Sequence, residues 1–318
     1  MATHEIPLEQ RTVHGHFSPE LEPILTIASG DTISFSTLDC GWGLGRPAPE
    51  TGDRWQLEPR DPERDQGHAL VGPVEVRGAR PGSVLEVRID EIRAGQWGWT
   101  WAAGGWESAL NSRLRLPDLD GHLLDWTLDG RAGVARDQKG REVPLRPFLG
   151  VIGMPPAEPG AHSTIPPRPT GGNIDCKELV AGSTLLLPIV VEGALLSAGD
   201  GHAAQGDGEV GQMAIECPLD RVRLTLTVRE DLSLETPVAQ TPSAWLTFGF
   251  GETLDDAMVQ ALNAMLDLME RELEVGRKDA LALASVSVDL RVTQVVNRVV
   301  GVHARLAADV LDGLRARG

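Results

Sequence analysis

The chain has no tyrosine, only three cysteines and a shortage of positive charge. Cys40, Cys176 and Cys217 cannot all pair and form no C-x-x-C spacing. That excludes a disulfide framework and a cysteine-only zinc site, and it agrees with a reducing compartment. No apolar run approaches the ~18 residues of a membrane-spanning helix. The opening MATHEIPLEQRTVHGH lacks a basic start followed by an apolar core, so no secretory signal is read and the cytoplasm is the expected location. Lys plus Arg number 29 against 46 Asp plus Glu, a formal net charge of −17. Such a surface repels phosphate backbones and anionic lipid, which argues against nucleic acid and membrane as partners. A neutral or cationic small molecule suits the field better than an anionic one.

What is present is a globular composition, 41% apolar and 24% charged over 318 residues. At ~100–200 residues per domain this suggests two or three domains or lobes. The first half reads as short strands joined by turns. Ile24–Ile27 and Thr32–Leu38 resemble a hairpin about Gly30-Asp31, and Val71–Val76 and Val84–Ile89 repeat the pattern around Gly78-Ala-Arg-Pro-Gly82. Residues 153–171 carry six prolines and read as irregular chain. Further strands are expected at Ser183–Val191, Gln212–Cys217, Val222–Val228 and Ala244–Phe250. Helical period enters late: Leu254, Met258, Leu262, Met265 and Met269 recur at three and four residues. Thr253 and Asp256 resemble a capping box, and Gly276 is the expected stop. A second helix is expected around Asp279–Val286.

These elements predict an α+β, β-rich protein with sandwich- or barrel-like β lobes and a smaller C-terminal α/β lobe. The expected divisions are a β-rich lobe over 1–150, a second over 151–250 carrying the active-site strip, and a helical segment over 251–318 packing back on both.

Residues 171–211 concentrate the chemistry. Asp175, Asp200, His202, Asp207 and Glu209, with Asn173 and Gln205, crowd glycine-rich turns on either side of one apolar strand. These residue types hold a hard or borderline divalent metal through oxygen and imidazole nitrogen. In Asp200-Gly-His202 two ligand types lie one residue apart, and the flanking glycines permit the bend that aims both at one ion. Glu209 is the candidate base, with Asp207 as substitute, because an unligated carboxylate beside a metal can relay a proton. Gly206-x-Gly208-x-x-Gly211 fits a dinucleotide fingerprint on paper, yet the segment after it looks extended and Asp207 and Glu209 stand where phosphate belongs. A calcium loop from Asp200 fails as well, with Gln205 at the turn-glycine position. Cys176, beside Asp175 and Lys177, offers a cysteine nucleophile as an alternative. His14, His16 and His68 are candidates to approach from the N-terminal half, His68 foremost.

The lines GPVEVRGARPGSVLEVRIDEI (72–92), PFLGVIGMPP (147–156), GGNIDCKELVAGSTLLLP (171–188), GALLSAGDGHAAQGDGEV (193–210), AIE (214–216) and RVTQVVNRVVGV (291–302) resemble the acetamidase/formamidase family, in the family's order. The resemblance implies hydrolysis of short aliphatic amides to a carboxylate and ammonia. It also implies a divalent metal, zinc first, a β-rich multi-lobed fold, and a homodimer or higher homo-oligomer. Asp175, Asp200, His202 and Glu209 occupy matching motif positions. The expected chemistry has Asp175, Asp200 and His202 hold the metal, Asn173 or Gln205 steady the oxyanion, and Glu209 pass a proton to the leaving nitrogen. The match weakens over Leu38–Arg46, which carries Trp42, and Trp97–Trp101 is tryptophan-heavy, which leaves a bulkier amide or an imide open. A metal-stabilised binding module without chemistry is the rival of another class.

Overall fold

The computed structural model describes residues 1–48, 53–102, 113–116 and 120–315. Its backbone is organised around two long strands, Val84–Ala94 and Leu219–Arg229, paired antiparallel. Both alternate as half-buried strands should. Val87, Ile89 and Ile92 point inward while Arg88 and Arg93 face water, and Val222, Leu224 and Leu226 match them from the partner.

Among the described residues this pair lies within a nine-stranded sheet. On one side follow Asp31–Phe35 and Thr3–Glu5; on the other, Thr184–Pro188, Val238–Gln240, Ala244–Gly251, Val299–Ala307 and Val288–Asn297. A six-stranded sheet holds Gly171–Asn173, Phe148–Gly153, Leu196–His202, Leu70–Val76 and Val13–His14 in that order, with Leu25–Ile27 also on Leu70–Val76. A third sheet of four strands runs Glu142–Pro144, Val134–Asp137, His122–Asp129, Trp97–Ala102. Residues of the two large sheets, Val87 and Leu185 from one and Val74, Leu149 and Leu196 from the other, meet in one apolar cluster. A second cluster lies under the helix Leu254–Leu273, where Ala257, Ala261, Met265 and Met269 cover Val302, Ala304 and Leu306. The methionines there are core. No helix among the described residues is long and apolar enough to cross a membrane.

The β-rich α+β architecture matches the expectation from sequence, but the connections differ. The two expected hairpins are crossings between layers. Leu25–Ile27 pairs parallel with Leu70–Val76, whereas Asp31–Phe35 joins the other sheet. The Gly30 amide is taken by the Leu226 carbonyl at 2.7 Å, and the Asp31 carboxylate by the amides of Ala2 and Ala28, so the turn serves different partners on its two sides. Likewise Leu70–Val76 and Val84–Ala94 lie in different sheets. The intervening turn carries Gly78 and Gly82 at φ +83° and +92°, where a side chain is strained.

The nine-stranded sheet draws strands from all three expected divisions, so the boundaries at 150 and 250 do not separate layers. Gln212–Cys217 forms no strand; it is irregular chain touching two neighbours through Glu216. The C-terminal segment is not simply helical, because Val288–Asn297 and Val299–Ala307 form a hairpin turning at Arg298. The long helix starts as expected, with Thr253 Oγ1 accepting from the Asp256 amide at 3.1 Å. It stops at Glu274, which adopts the left-handed conformation, and Gly276 instead opens the second helix, Arg277–Ser287.

Candidate active site

Strand Phe148–Gly153 runs antiparallel to Leu196–His202, and the ladder steps from Leu149 and Gly201 to Val151 and Gly199, passing Gly150 and Asp200. Asp200 sits at φ +57°, so the strand is bent at that residue. Asp200 and His202, two residues apart on a strand, share a face. Asp175 follows Gly171–Asn173, also at positive φ (+52°), and its amide donates to the Gly150 carbonyl at 3.3 Å. A Cβ on Gly150 would come within 2.5 Å of Asp200 Oδ2 and 2.8 Å of Asp175 Oδ1 and His202 Cε1. Only glycine lets these three side chains close over the strand.

Two further acids arrive from irregular chain. Glu216 bridges both Trp99 and His202 through its backbone, which brings its carboxylate beside the imidazole. Glu209 is delivered by Gly208, whose backbone pairs with the C-terminal hairpin at Thr293 and Val295. His202 Nε2 lies 3.4 Å from Asp200 Oδ1 and 3.3 Å from Glu216 Oε2. Three overlapping groups result among the described residues, Asp175 with Asp200 and His202, His202 with Glu209 and Glu216, and Cys40 with Asp200 and Glu216; in each, the ligand atoms lie within 4.8 Å of one another.

The four acids and His202 are buried, and one oxygen of each of the four carboxylates has no hydrogen-bond partner. Buried polar atoms are ordinarily paired, so four orphans gathered about His202 call for a cation. The tautomer of His202 agrees. Gln205 Nε2 donates to the Asp175 carbonyl at 2.8 Å, which turns Gln205 Oε1 toward His202 Nδ1 at 2.9 Å. Nδ1 therefore carries hydrogen, and Nε2 faces Asp200 and Glu216 through either a proton or an ion. An imidazole whose second nitrogen donates to a carbonyl is the usual arrangement of a metal-ligating histidine. The residues present fit a divalent metal.

The electrostatics express the same demand. Burial would lower the His202 pKa, but Glu216 and Asp200 hold it well above its ordinary value. Burial lifts the Asp175 carboxyl to about 6, against the pull of His202. Burial opposes ionisation of Asp200 too, yet His202 and His68 bring it down to about 2. Burial, with Asp175 close by, pushes Glu209 well up, and burial raises Glu216. Four carboxylates at such distances ionise together only if a positive charge joins them.

The group forms part of the wall of a cavity of about 670 Å³, which Cys40, Trp42, His68, Trp99 and Asn173 also line. The acetamidase/formamidase family model matches residues 2–160 and 157–307, nearly the whole chain. The chain belongs to this family. By that membership it is an amide hydrolase, acting on carbon–nitrogen bonds. A crystal structure of acetamidase from Bacillus halodurans is similar at 31% identity and a TM-score of 0.84, covering 98% of this chain and 100% of that one. The acetamidase of Mycolicibacterium smegmatis is 26% identical over 65% of this chain, and the formamidase of Methylophilus methylotrophus 28% over 62%. The chain spans 64% and 59% of the lengths of those two relatives.

Within this acetamidase/formamidase chain, Asp175, Asp200, His202 and Glu209 come together, although not on turns about one apolar strand. Thr184–Pro188 lies in the other sheet, and Asp200 and His202 are themselves strand residues. Asp207 does not join them. It is exposed, 3.1 Å from Lys177 and 3.8 Å from Arg291, which removes it as a substitute base. Gln205 orients His202 and does not line the cavity. Asn173 lines it; its Nδ2 donates one hydrogen to the Ile165 carbonyl, and Oδ1 is buried without a partner and offers an acceptor. His68 reaches the cavity; His14 bonds Ser197 and His16 the Arg64 carbonyl, both outside it. Cys176 is buried off the cavity wall, and burial drives its thiol far up.

Glu216, Gly150 and Asn297 were missed. Glu216 stands in the AIE line of the family resemblance, which was a usable signal. Gly150 and Asn297 act through close approach and through a bond to Asp175 Oδ2. Both stand in lines quoted for the resemblance, but residue type alone does not announce either role.

Proposed function

We propose that this chain is a metal-dependent amidohydrolase that cleaves short linear amides, of the formamide or acetamide kind, to a carboxylate and ammonia. The observation that carries the reading is the convergence of four partnerless carboxylate oxygens on His202. Asp175, Asp200 and His202 are the proposed metal holders, joined by Glu216, and zinc suits a nitrogen-and-oxygen set of this size. A divalent ion bound there supplies Lewis acidity, which lowers the pKa of water and polarises a carbonyl.

The remaining work falls to the chain. Asn173 Oδ1, buried and unpaired, accepts from the substrate NH2 and orients the amide. Glu209 takes a proton from the attacking water and returns it to nitrogen, so that ammonia leaves as a neutral molecule. The protein envelope of Trp42 and Trp99 keeps bulk water from the reacting centre. The proposed enzyme works in the cytoplasm, where its three free cysteines stay reduced, as a homodimer or larger homo-oligomer.

A cysteine mechanism through Cys176 has no support in the geometry, since a thiolate needs access and a positive environment. A silent binding module would leave the buried Glu209 without a purpose. The test is ammonia release from formamide and acetamide by purified protein. Stoichiometric ammonia and carboxylate are expected, and no release from metal-loaded protein would refute the reading.

A further inference from the structure

A two-carbon amide has four heavy atoms, and a water molecule occupies about 30 Å³ of liquid. A cavity of about 670 Å³ is therefore far larger than formamide or acetamide requires. Pockets of roughly 300–1,000 Å³ enclose much larger ligands. What lines the surplus is also unlike the acidic floor. Arg60 lies over the Trp42 ring at 4.3 Å and Arg54 over the Trp99 ring at 4.7 Å. Arg298 lines the same cavity from the hairpin turn.

The two stacked guanidiniums are fixed in different ways. Arg54 is 3.4 Å from Asp39 Oδ2, which also accepts from Trp99 Nε1 at 2.9 Å, so its charge is already answered. Arg60 donates to the Asp65 carbonyl, its Nε is buried without a partner, and no ion pair to a carboxylate is found for it among the described residues. Arg298 is exposed, sits at φ +66°, and likewise has no acidic partner among the described residues. In a chain with 46 acids to 29 basic residues, two unpaired arginines on one cavity are a local reversal of sign. Stacked on Trp42, with Nη2 on the Asp65 carbonyl and Nε buried, Arg60 keeps the Nη1 end of its fork for an anion.

The geometry points to amides whose far end carries a carboxylate as the preferred substrates: a monoamide of a short dicarboxylate, its amide on the acidic floor and its anion against Arg60 and Arg298, with the tryptophans flanking the carbon chain. This rests on the amidohydrolase reading and narrows it. The net charge of the whole molecule opposes an anion at long range, but fields from distant surface charges are screened within about 8 Å at physiological salt, and the arginines act at contact.

The experiment compares kcat and KM for malonamate, succinamate and glutaramate with those for 4-methylpentanamide, in which isopropyl replaces the carboxylate of succinamate, and with formamide and acetamide as reference substrates. At least one carboxylate amide should exceed the neutral isostere about tenfold or more in kcat/KM, mainly through KM, as expected for one hydrogen-bonded charge pair. Arg298→Asn, which tolerates the left-handed backbone, and Arg60→Gln should each reduce that ratio severalfold, and Arg298→Lys should restore part of it. Arg298 lies on an exposed turn, so its variants test the idea even if Arg60→Gln fails to fold. Equal or better turnover of the neutral isostere, or a ratio that neither arginine moves, would overturn the inference while formamide and acetamide hydrolysis left the amidase reading intact. No ammonia from any amide would overturn both.

Discussion

Asn297 donates its carboxamide hydrogen to Asp175 Oδ2 across 122 residues of sequence, and Asp175 Oδ1 is left without a partner. The bond fixes which oxygen of Asp175 is free for a cation. Asn297 is itself held by its neighbour, for Gln294 Oε1 accepts from the backbone amides of Val296 and Asn297. The C-terminal hairpin is in this way a clamp on the active site.

Asn297→Ala should leave Asp175 Oδ2 buried and unpaired and loosen the carboxylate. Groups that orient metal ligands typically contribute 10–100-fold in metal affinity. A fall of that order is expected in a competitive chelator titration. Unchanged affinity would show that Asn297 does not position Asp175.

Gly150→Ala places a methyl where three site side chains already meet. The neighbours cannot withdraw together, because Asp175, Asp200 and His202 are all buried. We expect a loss of roughly 1–3 kcal/mol of stability from overpacking, with bound metal and turnover both greatly reduced. Thermal denaturation and elemental analysis check this; wild-type metal content and activity would contradict it.

Glu209→Gln keeps shape and removes proton transfer. General acid–base catalysis is worth about 10²–10⁴-fold, so kcat on acetamide or formamide should drop by at least about 100-fold while metal content holds. Turnover within a few-fold of wild type would take Glu209 out of the mechanism.

Stability should fall as pH drops below 6.5, with one part of the loss set by His14. Burial lowers the His14 pKa from 6.5 to about 3, while its ring bonds Ser197 Oγ at 2.9 Å and the His16 carbonyl at 2.7 Å. The unfolded chain binds this proton below pH 6.5 and the folded one does not, so the contribution is complete above 6.5 and is lost as pH falls toward 3. The slope is at most about 1.4 kcal/mol per pH unit for one proton. His14→Gln should flatten the pH dependence of Tm across that interval, whatever it does to Tm at neutral pH. An unaltered dependence would mean that another group carries it.

Much of the fold and of the site was legible where the signal is local. The capped, periodic helix after Thr253 and the alternating stretches Val84–Ile89 and Val222–Val228 were readable because side-chain period reports burial directly, though the strands run on to Ala94 and start at Leu219. Asp200-Gly-His202 was readable because its residue types announce the chemistry. Layer assignment was not: Leu25–Ile27 and Asp31–Phe35 look like a hairpin, and only distant partners, Leu226 and Val74 among them, send them to different sheets. Sequence ranked Glu209 above Asp207 as the base, but their spacing does not show that they part. Lys177 and Arg291 draw one to the surface, and the pairing of Gly208 with the hairpin turns the other inward. Pairings of this kind are set by the assembled core and have no counterpart in local spacing.

Amide hydrolysis by this chain is proposed to require a metal held by Asp175, Asp200 and His202. The most direct measurement is the metal content of the protein set against ammonia release from formamide and acetamide, before chelation, after it, and after readdition of zinc. About one or more equivalents of divalent metal per chain are expected, with loss of turnover on removal, recovery on return, and Cys176→Ala behaving as wild type. Full turnover by protein shown to be free of metal would contradict the proposal.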